Sequence, residues 1–298
     1  MPEPLIVVPL DGSELSERAI PFATTLAKTN GARLLFLLVW EEADEALAAT
    51  LPEVSQELFR TGEEYYEGYL KDVAKRAQAE GVKVDAETLT GRAVDEVLRV
   101  VSERDVAYLA LSTHGRSGVT RWVYGSTAGR LIQEAPVPTL VVGPHVPAAT
   151  GVPGVKRILV PLDGSELSEG ALAPAQQLAE AFGADILLAE VLRWASQAYM
   201  FGVPETHIVQ IDEELTKAAQ AYLDKVREGM KTSRKVEAKV LHGFAADALM
   251  DLERDEGIDL VVMASHGRGG IVRAALGSVT DRMLQGPAPV LIVRPRRS

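Results

Sequence analysis

The feature that most constrains this chain is an internal repeat. The segment Val8–Glu17 recurs unchanged as Val160–Glu169, an offset of 152 residues. The same offset relates single glycines, an aspartate and two loop segments: Gly31 to Gly183, Gly91 to Gly243, Asp95 to Asp247, His114-Gly115-Arg116 to His266-Gly267-Arg268, and Gly125-Ser126 to Gly277-Ser278. A repeat of this length indicates duplication of a whole domain. We therefore predict two similar domains, residues 1–144 and 155–298, joined by a linker rich in Pro, Gly, Ala and Val.

Each copy alternates predicted strands with predicted helices. Leu5–Pro9 and Ile158–Pro161 are short apolar runs that end in Asp-Gly, which is typical of buried parallel strands. Four more strands follow in each copy, and the helix after the first strand is expected to run to Gly31 or Gly183 with a kink allowed at its proline. The pattern predicts an α/β fold in which each copy is a five-stranded parallel sheet of order 3-2-1-4-5, with helices on both faces.

Composition excludes several classes of protein. The formal net charge of −11 disfavours nucleic acid as a partner, because such a surface repels polyphosphate at long range. The absence of cysteine excludes disulfides and thiolate sites. The start Met1-Pro2-Glu3-Pro4 does not resemble a signal peptide, and no run approaches the ~18 apolar residues of a membrane span. We expect a cytoplasmic protein with no membrane contact.

Two loops of each copy are expected to meet at a ligand site. Ligands of open parallel sheets bind outside the carboxyl ends of the strands, where the strand order reverses. Asp11 follows the first strand, and the loop after the fourth strand contains Gly115, nine residues, and then Gly125-Ser126. Glycines allow backbone to approach an anion, and a helix that begins after Gly125 directs free N–H groups towards it. The pattern indicates phosphate binding, with Asp11 available to a ribose; alternatively, the glycines only form turns and Ser126 only caps a helix.

The chain resembles the universal stress protein family, in its tandem form, over nearly its whole length. The ATP-binding pattern of that family is Gly, two residues, Gly, nine residues, Gly, then Ser or Thr. This chain matches three of the four fixed positions in each copy. The first glycine of the pattern is Ser112 in one copy and Ala264 in the other, and these side chains leave less space for the nucleotide. The resemblance implies an adenine-nucleotide alpha-hydrolase-like fold and ATP, with Mg²⁺, as the ligand.

By this resemblance, ribose contacts Asp11 and Asp163, adenine lies against Val39 and Val191, and the glycine loops hold phosphates. The full set of expected binding residues is Pro9, Leu10, Asp11, Val39, Ser112, His114, Gly115, Arg116, Gly125, Ser126 and Thr127 in copy one, and Pro161, Leu162, Asp163, Val191, Ala264, His266, Gly267, Arg268, Gly277, Ser278 and Val279 in copy two. Tandem members dimerise, so a homodimer is also expected.

Three functional hypotheses follow. The first is a stress-response protein that binds ATP in each half and signals by its liganded state, without catalytic residues or a bound structural metal. The second is a slow ATPase or phosphotransferase, for which His114 and His266 are the candidate bases. The third is an interaction scaffold that has lost the nucleotide, which the residues Ser112 and Ala264 allow. The Glu-rich run from Glu41 to Glu64 is expected to be a solvated helix face or an insert.

Overall fold

The computed structural model describes residues 3–40, 51–113, 125–149, 151–193, 205–265 and 276–294. Its contacts divide the chain into two compact units. The first comprises Met1–Pro144 and Ala148–Pro153, and the second comprises His145–Pro147 and Gly154–Ser298. Each unit corresponds to one copy of the repeat.

The first half is a parallel sheet of order β3-β2-β1-β4-β5. Both predictions for this sheet, the strand order and the parallel pairing, are confirmed. Its elements are β1 (Leu5–Leu10), α1 (Glu14–Glu17), α2 (Ile20–Asn30), β2 (Arg33–Trp40), α3 (Pro52–Gln78), β3 (Val84–Thr90), α4 (Ala93–Glu103), β4 (Val106–Ser112), α5 (Ser126–Glu134) and β5 (Thr139–Val142).

The second half repeats this topology, with the order β10-β9-β6-β7-β8. Read from its own first strand, this is again 3-2-1-4-5, as predicted. Its elements are β6 (Arg157–Leu162), α6 (Glu166–Glu169), α7 (Leu172–Phe182), β7 (Asp185–Leu192), α8 (Glu205–Gly229), β8 (Val236–His242), α9 (Ala245–Asp255), β9 (Leu260–Ala264), α10 (Ser278–Met283) and β10 (Val290–Val293).

The central strands are apolar along their whole length because helices cover both faces of each sheet. In β1, Ile6, Val7 and Val8 are all fully buried, although successive side chains of a strand point to opposite faces. Val7 pairs with Leu35 on one side and with Leu109 on the other. Such a continuous run is the sequence signal of a parallel strand with no solvated face.

The single helix expected after the first strand is wrong in both halves. In the first half α1 ends at Glu17 and α2 begins at Ile20, with Pro21 in its first turn. Proline has no N–H to donate to the carbonyl of Glu17, so a continuous helix would lose that bond. In the second half the break falls at Gly170, and both second helices end at the expected glycines, Gly31 and Gly183, which adopt left-handed φ values of 60° and 72°.

The long helix α3 explains the described part of the Glu-rich run. Its inner face buries Leu70, Val73, Ala74 and Ala77, at helical spacing, against the sheet. Exposed acidic side chains such as Glu57 and Glu64 pair with Arg60 on the outer face, as expected of a solvated helix. Residues 41–50 lie outside the described ranges. Within those ranges, no helix is long and apolar enough to cross a membrane.

The second half buries a carboxylate on α9 at a position where the first half has an apolar residue. Glu253 on α9 is 1% exposed, and its Oε1 accepts a hydrogen bond of 2.6 Å from the N–H of Ala288. Its Oε2 has no hydrogen-bond partner among the described residues. Burial raises the pKa of Glu253 to about 7, against smaller opposing effects of that N–H and of Arg254.

The space for this carboxylate is made by a glycine. A Cβ on Gly286 would overlap with the Glu253 carboxylate. The offset of 152 aligns Val101 of the first half with Glu253. Near the end of each copy the offset becomes 151, because Pro136-Val137-Pro138 matches Pro287-Ala288-Pro289, and Ala135 then aligns with Gly286. Both of those residues are buried and apolar. The two positions therefore differ together between the halves.

We expect Glu253 to lower the stability of the second half as pH rises. Its folded pKa is raised, so between its ordinary value and about 7 the unfolded chain ionises while the folded chain stays protonated. Stability is therefore lost as pH rises through this window and regained on acidification. Glu253→Gln should remove this contribution to the pH dependence of the free energy of unfolding, which amounts to ~3 kcal/mol at most. Chemical denaturation at several pH values measures it.

The double variant Glu253→Val, Gly286→Ala is the matched control, because it reproduces the apolar pair of the first half. It should be more stable than the parent at about pH 8, since a buried unpaired carboxylate is replaced by packed apolar groups. The parent must be compared with variants at each pH, because carboxylates with lowered pKa, such as Glu87 and Glu237, contribute the opposite slope. An identical slope in Glu253→Gln would contradict the assignment.

Candidate functional site

The turn after the first strand of each half has the same geometry. Gly12 and Gly164 adopt φ values of 82° and 75°, which favour glycine, and they reverse the chain. The Asp11 carboxylate then accepts two hydrogen bonds on Oδ1, from the N–H of Ser13 at 3.0 Å and from its hydroxyl at 2.6 Å. Asp163 is held in the same way by Ser165. These bonds fix the carboxylate at the carboxyl end of the central strand.

The same serines begin the next helices. Ser13 Oγ accepts from the N–H of Ser16 at 3.1 Å, and Ser165 Oγ accepts from the N–H of Ser168 at 3.2 Å. Each serine therefore donates its hydroxyl to the aspartate and accepts from the helix. The same hydrogen bonds therefore form in both halves, and they link Asp11 and Asp163 to the starts of the helices that follow.

A second backbone element approaches from the fourth strand. Gly125 donates its N–H to the carbonyl of Thr113 at 3.2 Å and is the N-cap residue of α5. Gly277 donates in the same way to Ser265 at 3.1 Å before α10. Within the described part of the chain, neither helix has a side-chain cap on its first N–H groups, and Ser126 is exposed there. Uncapped N–H groups at a helix start are suited to an anion.

In the first half these elements enclose a cavity of about 280 Å³. Eight expected binding residues line it: Pro9, Leu10, Asp11, Val39, Ser112, Gly125, Ser126 and Thr127. The structure thus brings together residues separated by more than one hundred positions in sequence. The remaining three of this copy, His114, Gly115 and Arg116, lie outside the described residues.

The lining of the cavity includes both polar and apolar residues. Hydroxyls of Ser112, Ser126 and Thr127 lie near the start of α5, whereas Leu37 and Val39 form a wall from alternate positions of β2. Within the described ranges, no group of three or more His, Asp or Glu residues is arranged to hold a metal ion. The arrangement suits a ligand with an anionic end and a flat apolar end.

The glycine at position 125 is not required by the fold. Its φ of −50° is open to any residue, and the same holds for Gly277 at −58°. Among the described residues, a Cβ on Gly125 would meet nothing closer than the Thr113 carbonyl at 3.9 Å, which is ordinary contact. Gly125 also lines the cavity.

The expected residues of the second half occupy equivalent places. Pro161 and Leu162 end β6, Asp163 follows them, Val191 lies near the end of β7, and Ala264 ends β9. Gly277, Ser278 and Val279 form the cap and first turn of α10. His266, Gly267 and Arg268 lie outside the described residues.

Sequence reasoning missed part of the cavity wall and a pair of tyrosines. The wall also includes Ser16, Leu37, Ala93, Val97, Leu111, Thr113, Ala128 and Leu131. Ala93 and Val97 are four residues apart on α4, so a helical pattern combined with the sheet order could have found them.

Tyr69 on α3 and Tyr222 on α8 lie beside the turn after the first strand. Tyr222 donates to Glu169 Oε1 at 3.0 Å, and burial, followed by Glu169, raises the pKa of this phenol. Burial likewise raises the pKa of Tyr69, with Glu17 as the next cause. The two tyrosines are 153 residues apart, so a search at the fixed offset does not pair them.

These features define a duplicated doubly wound α/β protein with a cavity at the point where the strand order reverses. The family model described as the universal stress protein family matches residues 5–143 and 154–294. The chain therefore belongs to the universal stress protein family, as the sequence motifs predicted, and it carries the family domain twice.

Individual relatives agree with this assignment. A universal stress protein from Mycolicibacterium smegmatis is 27% identical over 310 aligned positions, which cover 98% of this chain and 97% of the relative. A universal stress protein from Methanocaldococcus jannaschii is 34% identical over 142 residues, 46% of this chain and 80% of its own. The crystal structure of a universal stress protein from Archaeoglobus fulgidus superposes with a TM-score of 0.70 at 18% identity, covering 99% of both chains, and supports the fold.

We expect Gly125→Ala to leave the stability of the protein unchanged within ~0.5 kcal/mol. The added methyl group has space in the ligand-free cavity, and the backbone conformation is an ordinary one. Thermal unfolding without ligand, followed by circular dichroism, measures the change. Gly12→Ala is the contrasting control, because the φ of 82° strains any L residue. A large loss of stability in Gly125→Ala would show that the fold itself needs this glycine.

Proposed function

We propose that this chain is a cytoplasmic stress-response protein that binds ATP, with Mg²⁺, and signals by its liganded state. The observation that carries the proposal is the cavity of the first half, in which Asp11 and the uncapped start of α5 face one space. Membership of the universal stress protein family, whose members commonly bind ATP, supports the same ligand. A homodimer is part of the proposal by the same resemblance.

Each part of the nucleotide has a proposed place. The anionic phosphates lie at the start of α5, where backbone N–H groups and the hydroxyls of Ser126 and Thr127 donate to them. The ribose diol donates to the Asp11 carboxylate, which two hydrogen bonds already orient. Adenine packs on the apolar wall that includes Val39. Pre-orientation lowers the entropy that binding must overcome.

A binding role is favoured over catalysis by the residues that line the cavity. Among its described lining residues, Asp11 is the one side chain with an acidic or basic group, and its hydrogen bonds to Ser13 suit an anchoring role. Hydrolysis would need a base near the terminal phosphate. The proposed function is a nucleotide-dependent binding state, and the candidate bases for turnover, His114 and His266, lie outside the described residues.

The protein should gain thermal stability from millimolar ATP with Mg²⁺. A ligand that binds only the folded chain raises its stability by mass action, by ~2.7 kcal/mol at one hundred times the dissociation constant. Differential scanning fluorimetry measures the shift, and mass spectrometry of the natively purified protein identifies any retained nucleotide. GTP at equal concentration is the control for non-specific polyphosphate effects. No shift with ATP and no copurified nucleotide would leave the scaffold hypothesis in its place.

The role of Asp11 can be separated from its structural role. Asp11→Ala removes both the ribose acceptor and the bonds to Ser13, whereas Asp11→Asn keeps an acceptor oxygen for Ser13. Both variants should weaken ATP binding by ~1–3 kcal/mol in titration calorimetry, the scale of hydrogen bonds to a charged group. Asp11→Asn should do so without loss of thermal stability in the absence of ligand. Unchanged affinity in both variants would remove Asp11 from the proposed site.

A further inference from the structure

The two halves agree at the aspartate turn but differ at the start of the last helix. Position by position, Ser112, Thr127 and Ala128 of the first half correspond to Ala264, Val279 and Thr280 of the second. The first three line the cavity described above. These three differences therefore lie where the phosphates are proposed to bind.

Thr280 bonds the helix of the second half to its own strand end. Its hydroxyl lies 3.3 Å from the carbonyl oxygen of Ala264 and 3.4 Å from that of Ser265, and the residue is 2% exposed. The equivalent Ala128 has no hydroxyl and is partly exposed at the cavity wall. Thr280 therefore adds two heavy atoms, Oγ1 and Cγ2, at the position where Ala128 borders the cavity in the first half.

The second half also lacks hydroxyl donors that the first half has. Ser112 and Thr127 can each donate to an anionic oxygen, whereas Ala264 and Val279 cannot. The Thr280 hydroxyl does not replace them, because its proton is used by the carbonyls of its own half. Its helix is also shorter, with six residues in α10 against nine in α5.

The apolar ends differ without a consistent trend. Leu37 corresponds to the smaller Ala189, whereas Val97 corresponds to the larger Leu249. These exchanges alter the shape of the wall but remove no hydrogen bond. The asymmetry therefore concerns the phosphates rather than the base.

We propose that the halves are functionally unequal: the first half is the ATP site of this chain, and in the second half Thr280 closes the phosphate end. This inference rests on the proposed function, because it concerns the same ligand. A chain of this kind responds to ATP through one half, and its other half serves as a ligand-independent partner domain.

The test is titration calorimetry of ATP with Mg²⁺ on the full-length chain. We expect one tight site per chain, with any second site at least ~10-fold weaker, a difference of ~1.4 kcal/mol. Gly125→Val should abolish the tight site, because its side chain enters the cavity of the first half, whereas the matched Gly277→Val should leave that site unchanged. Two equal sites, or loss of the tight site in Gly277→Val, would overturn the inference while preserving nucleotide binding. Absence of any binding in the parent would overturn both.

Exchanging the residues that differ at the phosphate end tests whether they cause the unequal affinity of the two halves. Ala128→Thr should weaken the tight site by ~10-fold or more, about 1.4 kcal/mol. The triple variant Ala264→Ser, Val279→Thr, Thr280→Ala should create a second site of comparable affinity. Circular dichroism in the absence of ligand confirms that each variant is folded. If Ala128→Thr binds ATP as tightly as the parent and the triple variant gains no site, Thr280 does not close the second half.

Discussion

The parallel pairing of the central strands is the constraint on which the rest of the structure depends. Parallel neighbours cannot be joined by a hairpin, so each connection crosses a face of the sheet as a helix. In the first half, β1 pairs with β2 on one side and with β4 on the other, so the connections after β1 and β4 diverge to opposite faces. Asp11 and Gly125 reach one cavity for this reason.

The strands, their order and half of the cavity wall could be predicted from the sequence. The short apolar runs and the turn residues that end them predicted buried parallel strands. Because the sequence repeats, the prediction for each half could be compared with that for the other. The break before Pro21 was missed because the proline was compatible with a first turn as well as with a kink, and only the packed chain decides between them. Tyr69 and Tyr222 were missed because they lie 153 residues apart, one more than the common offset.

Three glycines illustrate why sequence alone cannot assign a reason to this residue. Gly12 is needed for its backbone conformation, with φ at 82°. Gly286 has no need of that kind and instead leaves space for the buried carboxylate of Glu253. Gly125 has an ordinary backbone conformation and makes no close contact with the described residues at the position of a Cβ, and it borders a cavity. Glycine therefore forms a turn at position 12, leaves space for a packed side chain at position 286 and borders a candidate ligand site at position 125. Only the three-dimensional structure distinguishes these roles.

Duplication also explains where the halves can differ. A buried position cannot change alone, because close packing transmits a change in volume to its neighbours. Glu253 replaces valine only where Gly286 replaces alanine, and the Thr280 hydroxyl finds carbonyl acceptors at the end of β9. The aspartate turn, by contrast, is a closed set of hydrogen bonds in which any single replacement leaves a partner unsatisfied. The halves therefore share the hydrogen-bonded turn and differ at the start of the last helix, where a side chain can change without leaving the bonds of that turn unsatisfied.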